Sequence, residues 1–159
     1  MKKILLSLAA LGAALGVQAK IVLPGIFGDN MVLQQQTEAQ FWGKAAPGKK
    51  VTIHPSWSTK AITANVDKDG RWKAAVPTPE AGGPYTIELS DGERLTLRNV
   101  LIGEVWLCSG QSNMEMPMRG FNNQPVEGSA DVIIRAKAST PIRLCTVNRS
   151  TARSPQEEL

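Results

Sequence analysis

The chain is poor in the side chains that build metal sites and disulfide frameworks. Its 159 residues include one histidine, His54, and two cysteines, Cys108 and Cys145. A structural zinc site needs about four such ligands at short spacings, so we expect no metal centre. Both cysteines stand in apolar, strand-like runs, which predicts buried free thiols. A disulfide between them is the alternative, and it requires that their Cα atoms lie close together.

Long apolar runs and a strong excess of one charge are also missing. Beyond residue 19 no stretch approaches the ~20 apolar residues that a membrane helix needs. The formal net charge is +4 at pH 7, and Lys and Arg are dispersed, without the basic, aromatic-interleaved stripe that is typical of nucleic-acid binding. The sequence therefore predicts neither a nucleic acid nor, once the N-terminal segment is removed, a membrane as a partner.

The N-terminal segment has the pattern of a secretory signal peptide. Lys2 and Lys3 precede an apolar run from Ile4 to Val17, which ends in the small-residue pattern Val17-Gln18-Ala19. We predict cleavage after Ala19, so that residues 1–19 are the signal and the mature protein begins at Lys20. The expected location is the periplasm or the exterior of the cell.

The sequence pattern of residues 20–98 predicts a β-rich domain made of short strands and tight turns. Turn signals such as Ala46-Pro47-Gly48 and Asp67-Lys68-Asp69-Gly70 separate segments of alternating polarity, a pattern that predicts an antiparallel sheet or β-sandwich. The predicted strands are Met31–Leu33, Ala39–Trp42, Val51–His54, Ala61–Val66, Arg71–Val76, Tyr85–Leu89 and Leu95–Leu97. Trp42, Trp57 and Trp72 have two interpretations, a sugar-stacking platform or core and hairpin packing, and the second is favoured.

From residue 99 the pattern changes to that of a parallel α/β domain. A strongly apolar run, Val105–Cys108, predicts a buried strand. Ser129 is the expected cap of a helix that reaches about Ala138, and Ile142–Val147 predicts a second strand. Strand, helix and strand form the βαβ unit of a parallel sheet, so we place a domain boundary between residues 98 and 99.

Ser112 is the candidate nucleophile. The polar turn after Cys108 would lift its hydroxyl off the end of a strand toward the N-terminus of a helix, where free N–H groups stabilise an oxyanion. The nucleophile elbow Gly-x-Ser-x-Gly is half met, since Gly110 and Ser112 fit but Met114 replaces the second glycine. The alternative is that the serine and glycine residues only close a strand.

The stretch from Gly103 to Met118, with its Gly-Gln-Ser-Asn-Met core, resembles the first conserved block of sialate O-acetylesterases, carbohydrate acetylesterases of the SGNH hydrolase superfamily. Leu23–Gln34 is similar to the same family, and so are Pro141–Val147 and Thr151–Leu159, in the same order. The resemblance implies a β-rich accessory domain at 20–98 followed by the start of a flavodoxin-like SGNH domain at 99–159, incomplete at Leu159.

The resemblance also implies a chemistry. Ser112 would attack an acetyl ester on an O-acetylated carbohydrate and donate its backbone N–H to the oxyanion, with no metal or organic cofactor. In that superfamily the base comes from an Asp-x-x-His block, which has no counterpart up to Leu159. His54 is the remaining imidazole, and a structural or surface role is favoured for it because no orienting carboxylate is evident. The chain by itself is therefore expected to have little or no esterase activity.

Four amides near the serine are candidate sugar contacts, because each offers a donor and an acceptor: Gln111, Asn113, Asn122 and Asn123. The alternative for the last two is a solvated loop. The sequence leaves open other functions beside sialate O-acetylesterase: an acetylxylan or other glycan acetylesterase, a non-catalytic sugar-binding β-module, and an inactive fragment.

Overall fold

The structure is a computed structural model that describes residues 20–137, 139, 141–147 and 151–154, so the predicted signal segment 1–19 lies outside it. The described part of the chain forms seven strands, each overlapping a predicted one. They are β1 (Val32–Gln34), β2 (Glu38–Lys44), β3 (Lys50–Pro55), β4 (Ile62–Asn65), β5 (Arg71–Pro77), β6 (Gly82–Ser90) and β7 (Arg94–Gly103). A short 3-10 helix, Ser112–Glu115, and helix α1, Ser129–Arg135, follow.

The strands form two sheets. The larger has the order β1-β7-β6-β3-β4, and the smaller is the antiparallel pair β2-β5. Within the larger sheet β1 runs parallel to β7, with Val32 opposite Leu101, whereas the other neighbours are antiparallel. The expected antiparallel pairing therefore holds for all pairs except this one, which joins the first and last strands of the unit.

Alternating side chains from both sheets build one hydrophobic core. On β5 the residues Trp72, Ala74 and Val76 are buried while their neighbours are exposed. The alternating polarity on which the strand predictions rest is confirmed on β6, where Ile87 and Leu89 are completely buried and Thr86, just before them, is exposed. Each large aliphatic side chain removed from water contributes roughly 1.5–3 kcal/mol. The mostly β-strand fold predicted for this region is thus confirmed.

The turn between β4 and β5 shows how the local sequence directs the chain. The Asp67 carboxylate accepts hydrogen bonds from the backbone N–H groups of Asp69 (2.9 Å) and Arg71 (2.8 Å). Gly70 has φ +77°, a left-handed conformation that other residues adopt only at a cost. The predicted Asp-Lys-Asp-Gly turn is therefore present and leads directly into β5.

Beyond the sheets the structure departs from the prediction. β7 continues to Gly103 and so crosses the expected boundary at residues 98 and 99. The strands predicted at Val105–Cys108 and Ile142–Val147 are absent, and the first segment is exposed, with Trp106 at 81% and Leu107 at 94%. A strand forms only where a neighbour pairs with its backbone groups, and neither segment has such a neighbour among the described residues. The described residues of this region therefore form no βαβ unit.

The helix and the cysteines also need correction. α1 begins at Ser129 as expected, but Gly128, with φ +71°, occupies the capping position, so Ser129 is not the cap. Cys108 and Cys145 are free, as predicted, but both are exposed and not buried, because the apolar runs that hold them do not pack as strands. No helix in the described part of the chain is long and apolar enough to cross a membrane.

Candidate active site

Ser112 is the first residue of the 3-10 helix and is exposed. The turn is closed by the Met114 N–H, which donates to the Gln111 carbonyl (2.9 Å), and by a longer bond from the Met116 N–H to the Asn113 carbonyl (3.4 Å). The predicted tight turn at the serine is present, but the chain before it has no regular secondary structure and the helix that begins at Ser112 is a single 3-10 turn. A 3-10 turn of this length offers fewer aligned N–H groups than the expected α-helix.

Gly110 and Met114 lie against each other within this turn. A Cβ atom on Gly110 would lie 2.8 Å from Met114 Cγ, closer than unbonded carbons approach. Met114, which replaces the second glycine of the usual elbow, therefore fills the space above Gly110. A side chain at position 110 would have to displace the Met114 side chain.

The Ser112 hydroxyl has no base in the described part of the chain, where no hydrogen bond joins it to an imidazole or carboxylate. His54 lies on the exposed side of β3, opposite Glu88 of β6, within the larger sheet. That position fits the structural or surface role favoured for this histidine.

The four candidate sugar-binding amides are exposed. Gln111 and Asn113 flank Ser112 in the chain. Asn122 and Asn123 form the tip of a turn closed by reciprocal backbone hydrogen bonds between Phe121 and Gln124 (3.1 and 3.0 Å). The structure thus presents all four side chains to solvent, and their role in substrate binding stays a prediction.

Glu104 fixes the direction in which the chain leaves the sheet toward Ser112. Its carboxylate accepts hydrogen bonds from the amides of Gln34 (3.1 Å) and Gln35 (2.6 Å), at the end of β1. The side-chain oxygens of the same two glutamines are also hydrogen-bonded. Gln34 Oε1 accepts from the Val105 N–H (2.9 Å), and Gln35 Oε1 accepts from the Ala81 N–H (2.8 Å). Each amide is therefore held in one orientation.

The same contacts act on the Glu104 carboxyl group. The hydrogen bond from Gln35, and then that from Gln34, stabilise the charged form and hold the pKa of Glu104 below its ordinary value, against a small opposing effect of burial. Glu104 is consequently anionic throughout the neutral range.

Arg143 ties the C-terminal part of the described chain to the same region. Its guanidinium donates to the backbone oxygens of Met31 (3.0 Å) and Asn99 (2.5 Å) and to Asn99 Oδ1 (3.1 Å). Planar, multiply bonded arginines give geometric specificity that a lysine does not. We name the contacts of Glu104 and Arg143 with the two ends of β1 the junction.

Sequence reasoning missed the junction as a structural unit. Gln34, Glu104 and Arg143 belong to the three separate stretches that carry the family resemblance, and the structure brings all three to β1. The three stretches were recognisable in the sequence and in their order. The linear sequence does not show, however, that residues from all three lie next to each other in the folded protein.

The three tryptophans of the β-rich unit differ in their surroundings. Trp72 is 3% exposed, and its indole N–H has no hydrogen-bond partner in the described part of the chain. Trp57 donates to the Pro77 carbonyl (2.9 Å) and contacts the Tyr85 ring edge to face at 5.3 Å. The packing interpretation is confirmed for both, whereas Trp42 is 41% exposed and lines a groove of about 730 Å³.

Among the described residues, no group of three or more His, Cys, Asp and Glu side chains is placed to hold a metal ion. The candidate site consists of the Ser112 turn and the four exposed amides, and the junction links the chain on either side of them to β1 and β7.

Comparisons with known proteins identify relatives of the chain, although no family model matches it. Sialate O-acetylesterases from Pongo abelii and Homo sapiens are each 30% identical over 141 residues, covering 82% of this chain and 26% of the relative. That from Mus musculus is 34% identical over 107 residues, 61% of this chain and 20% of the relative. The chain thus spans about a quarter of the length of these curated relatives.

A solved structure gives the same result independently. A carbohydrate acetylesterase from Xanthomonas citri superposes with a TM-score of 0.58 at 37% sequence identity, covering 62% of this chain and 23% of that one. Identity at this level in both comparisons shows common descent as well as a common fold. The chain belongs to the sialate O-acetylesterase family.

Proposed function

We propose that this chain is part of a carbohydrate O-acetylesterase and supplies its nucleophile, Ser112. The observation that carries the proposal is the similarity to proteins named sialate O-acetylesterase and carbohydrate acetylesterase. An exposed serine in the Gly-Gln-Ser-Asn turn adds support, because the hydroxyl is open to a substrate.

In the proposed reaction the Ser112 Oγ attacks the carbonyl carbon of a sugar O-acetyl group. The negative charge that forms on the carbonyl oxygen is stabilised by the Ser112 backbone N–H and by further donors. A base takes the Ser112 hydroxyl proton and passes it to the sugar oxygen, whose bond to the carbonyl carbon breaks, so that the sugar departs as an alcohol and an acetyl ester is left on Ser112. Water then hydrolyses that ester and releases acetate, with no cofactor.

The base is the part of this chemistry that the described residues do not supply. We infer that the chain after β7 begins a flavodoxin-like SGNH domain whose Asp and His are not among these residues, and that the seven strands up to Gly103 are a β-sandwich accessory domain. Apolar side chains that are exposed here, such as Trp106, Leu107 and Leu144, support the inference, because they suit burial against further structure. We further propose that residues 1–19 direct export to the periplasm or beyond.

The experiment is acetate release by the protein from the complete reading frame, on O-acetylated sialic acid and on acetylated xylan. We expect release from the sialic acid, abolished by Ser112→Ala and retained by Ser109→Ala. Release only from xylan would select the glycan acetylesterase alternative, and full activity in Ser112→Ala would contradict the assignment of the nucleophile. The 159-residue chain alone is expected to remain near background on p-nitrophenyl acetate.

The alternative of a sugar-binding β-module gains support from one observation, the exposed indole of Trp42 on the smaller sheet. Binding there and hydrolysis at Ser112 involve separate residues and are compatible in one protein.

A further inference from the structure

The candidate site lies in one stretch of chain, residues 105–142, which we name the site segment. It contains Ser112 and all four candidate sugar-binding amides. Glu104 directly precedes the site segment, and Arg143 directly follows it. Both of these side chains are hydrogen-bonded to the region of β1, the first at the end of the strand and the second at its start. The junction therefore holds the site segment at both of its ends.

The contact at the Glu104 end includes the backbone as well as the side chain. Gln34 donates to the Glu104 carboxylate at 3.1 Å and accepts from the Val105 N–H at 2.9 Å. Gln35 donates to the other carboxylate oxygen at 2.6 Å. Hydrogen bonds to a charged carboxylate are stronger than those between neutral groups. Three hydrogen bonds thus fix the direction of the chain at the point where it leaves β7.

The two glutamines that make this contact are themselves attached to the β-rich unit. The Gln35 N–H donates to the Gly103 carbonyl at 2.9 Å, and its side-chain oxygen accepts from the Ala81 N–H at 2.8 Å. The Gln34 carbonyl accepts from the hydroxyl of Thr78 at 2.7 Å, and Thr78 is a buried residue. A contact made by side chains that are held in this way transmits the position of the sheets to the group it binds.

The contact at the Arg143 end is also made to ordered backbone. One guanidinium nitrogen donates to the carbonyl oxygens of Met31 and Asn99, at 3.0 and 2.5 Å, and the other donates to Asn99 Oδ1 at 3.1 Å. The same Met31 oxygen accepts from the Leu101 N–H of β7 at 3.1 Å. The planar guanidinium therefore binds where β7 and the start of β1 are already joined, so this end of the site segment is fixed to both strands.

The turn that carries Ser112 is shaped by local contacts. The Met114 N–H donates to the Gln111 carbonyl three residues earlier. The chain leading to the turn is exposed, with Trp106 and Leu107 among its residues. Local hydrogen bonds give the turn its shape but do not place it relative to the sheets. That placement depends on the two ends of the site segment.

We propose that Glu104 and Arg143 are positioning residues of the esterase, which together set where the site segment and its Ser112 hydroxyl lie relative to the β-rich unit. Each acts through the backbone beside it. A displacement of about 1 Å far from the chemistry can lower a rate about 100-fold, so the contacts affect turnover without touching the substrate. The effect on catalysis rests on the proposed function, whereas the effect on position concerns the chain itself.

The first test uses the two native cysteines, which are free and exposed. Cys108 follows Glu104 and Cys145 follows Arg143 in the chain, so spin labels on both cysteines report how the two ends of the site segment are placed. Electron paramagnetic resonance on the whole chain measures the distribution of distances between the labels. We expect a narrow distribution in the parent and a broader one in Glu104→Gln and in Arg143→Ala.

The matched controls are Glu93→Gln and Arg153→Ala, which change an exposed glutamate and an exposed arginine outside the junction. Both should give the distribution of the parent. Gln35→Ala removes a donor to Glu104 from the side of the sheet and should broaden the distribution as Glu104→Gln does. Circular dichroism identifies any variant that has failed to fold, and Gln35→Ala decides if Glu104→Gln is lost in this way.

The second test is hydrolysis of p-nitrophenyl acetate by the protein from the complete reading frame. Glu104→Gln and Arg143→Ala should lower kcat at least about tenfold, because the nucleophile is displaced. KM should stay near that of the parent, since this substrate has no sugar for the four amides to bind.

An unchanged distance distribution in Glu104→Gln or in Arg143→Ala overturns the proposal, and so does an unchanged kcat in a variant whose distribution has broadened. The two tests also separate this proposal from the proposed function. If the complete protein with both residues intact hydrolyses no acetyl ester, the proposed function fails, and the distance distribution still decides whether the junction positions the site segment.

Discussion

The Arg143 guanidinium donates to both the backbone oxygen and the side-chain oxygen of Asn99, at 2.5 and 3.1 Å. Asn99 has φ +54°, and its amide nitrogen donates to Oδ1 of Asn30 at 2.6 Å, where Asn30 also has a positive φ of +66°. Asparagine tolerates this conformation better than other non-glycine residues. Arg143 therefore attaches the chain after α1 to a hydrogen-bonded pair formed by Asn99 of β7 and Asn30, which precedes β1.

Removing this contact is expected to loosen residues 141–147 while leaving the sheets folded. Arg143→Ala loses all three hydrogen bonds, and Arg143→Lys cannot reproduce their planar geometry. Hydrogen exchange and limited proteolysis should show faster exchange and cleavage in 141–147 for both variants. Arg153→Ala, an exposed arginine of the described chain, is the charge-matched control. Unchanged protection in Arg143→Ala would show that the contact does not hold the segment.

Glu104 is expected to titrate below the ordinary glutamate pKa of about 4.3, because Gln35 and Gln34 stabilise its carboxylate. A lowered folded-state pKa means that its contribution to stability is complete above the unfolded pKa and is lost as pH falls through the lowered folded value. NMR titration of the Glu104 side-chain carboxyl group measures the pKa of this residue in the folded protein. Gln35→Ala should raise the midpoint, whereas Gln40→Ala, a glutamine outside the junction, should leave it in place.

The shared core predicts a large stability loss at its centre. Ile87→Ala should lower the free energy of unfolding by about 2–5 kcal/mol, because the side chain is fully buried in the cluster that joins both sheets. Thr63→Ala, on the exposed side of β4, should change it by about 0.5 kcal/mol or less. Urea denaturation compares the two, and equal losses would contradict the core assignment.

Gly43→Ala is expected to separate residues 22–24 from β2. The added methyl group would meet the Val22 carbonyl and the Trp72 ring, a clash that should cost roughly 1–3 kcal/mol. The Val22 amide, hydrogen-bonded to the Lys44 carbonyl, should then exchange faster with deuterium. Gly28→Ala is the control, since a Cβ there has no atom within 4 Å. Full protection of the Val22 amide in Gly43→Ala would show that the close approach of residues 22–24 to β2 does not need glycine at position 43.

The sequence by itself determined the strands of the β-rich unit, because the information is local. Burial of Ile87 and Leu89 follows from alternation along a single strand, and the turn before β5 follows from Asp67 and Gly70. It also determined the family, since the three stretches that resemble sialate O-acetylesterases were visible in the linear order. The exposed turn at Ser112 agreed with its Ser-Gly-Gln-Ser composition.

Only the tertiary structure decided which segments became neighbours. The apolar run Val105–Cys108 has the composition of a buried strand, yet it is exposed because a strand needs backbone partners that the described residues do not provide. The parallel pairing of β1 with β7 and the contacts of Glu104 and Arg143 join residues up to 112 positions apart. Such contacts form because the folded sheets bring distant groups within hydrogen-bonding distance, and no local pattern of side chains encodes that placement.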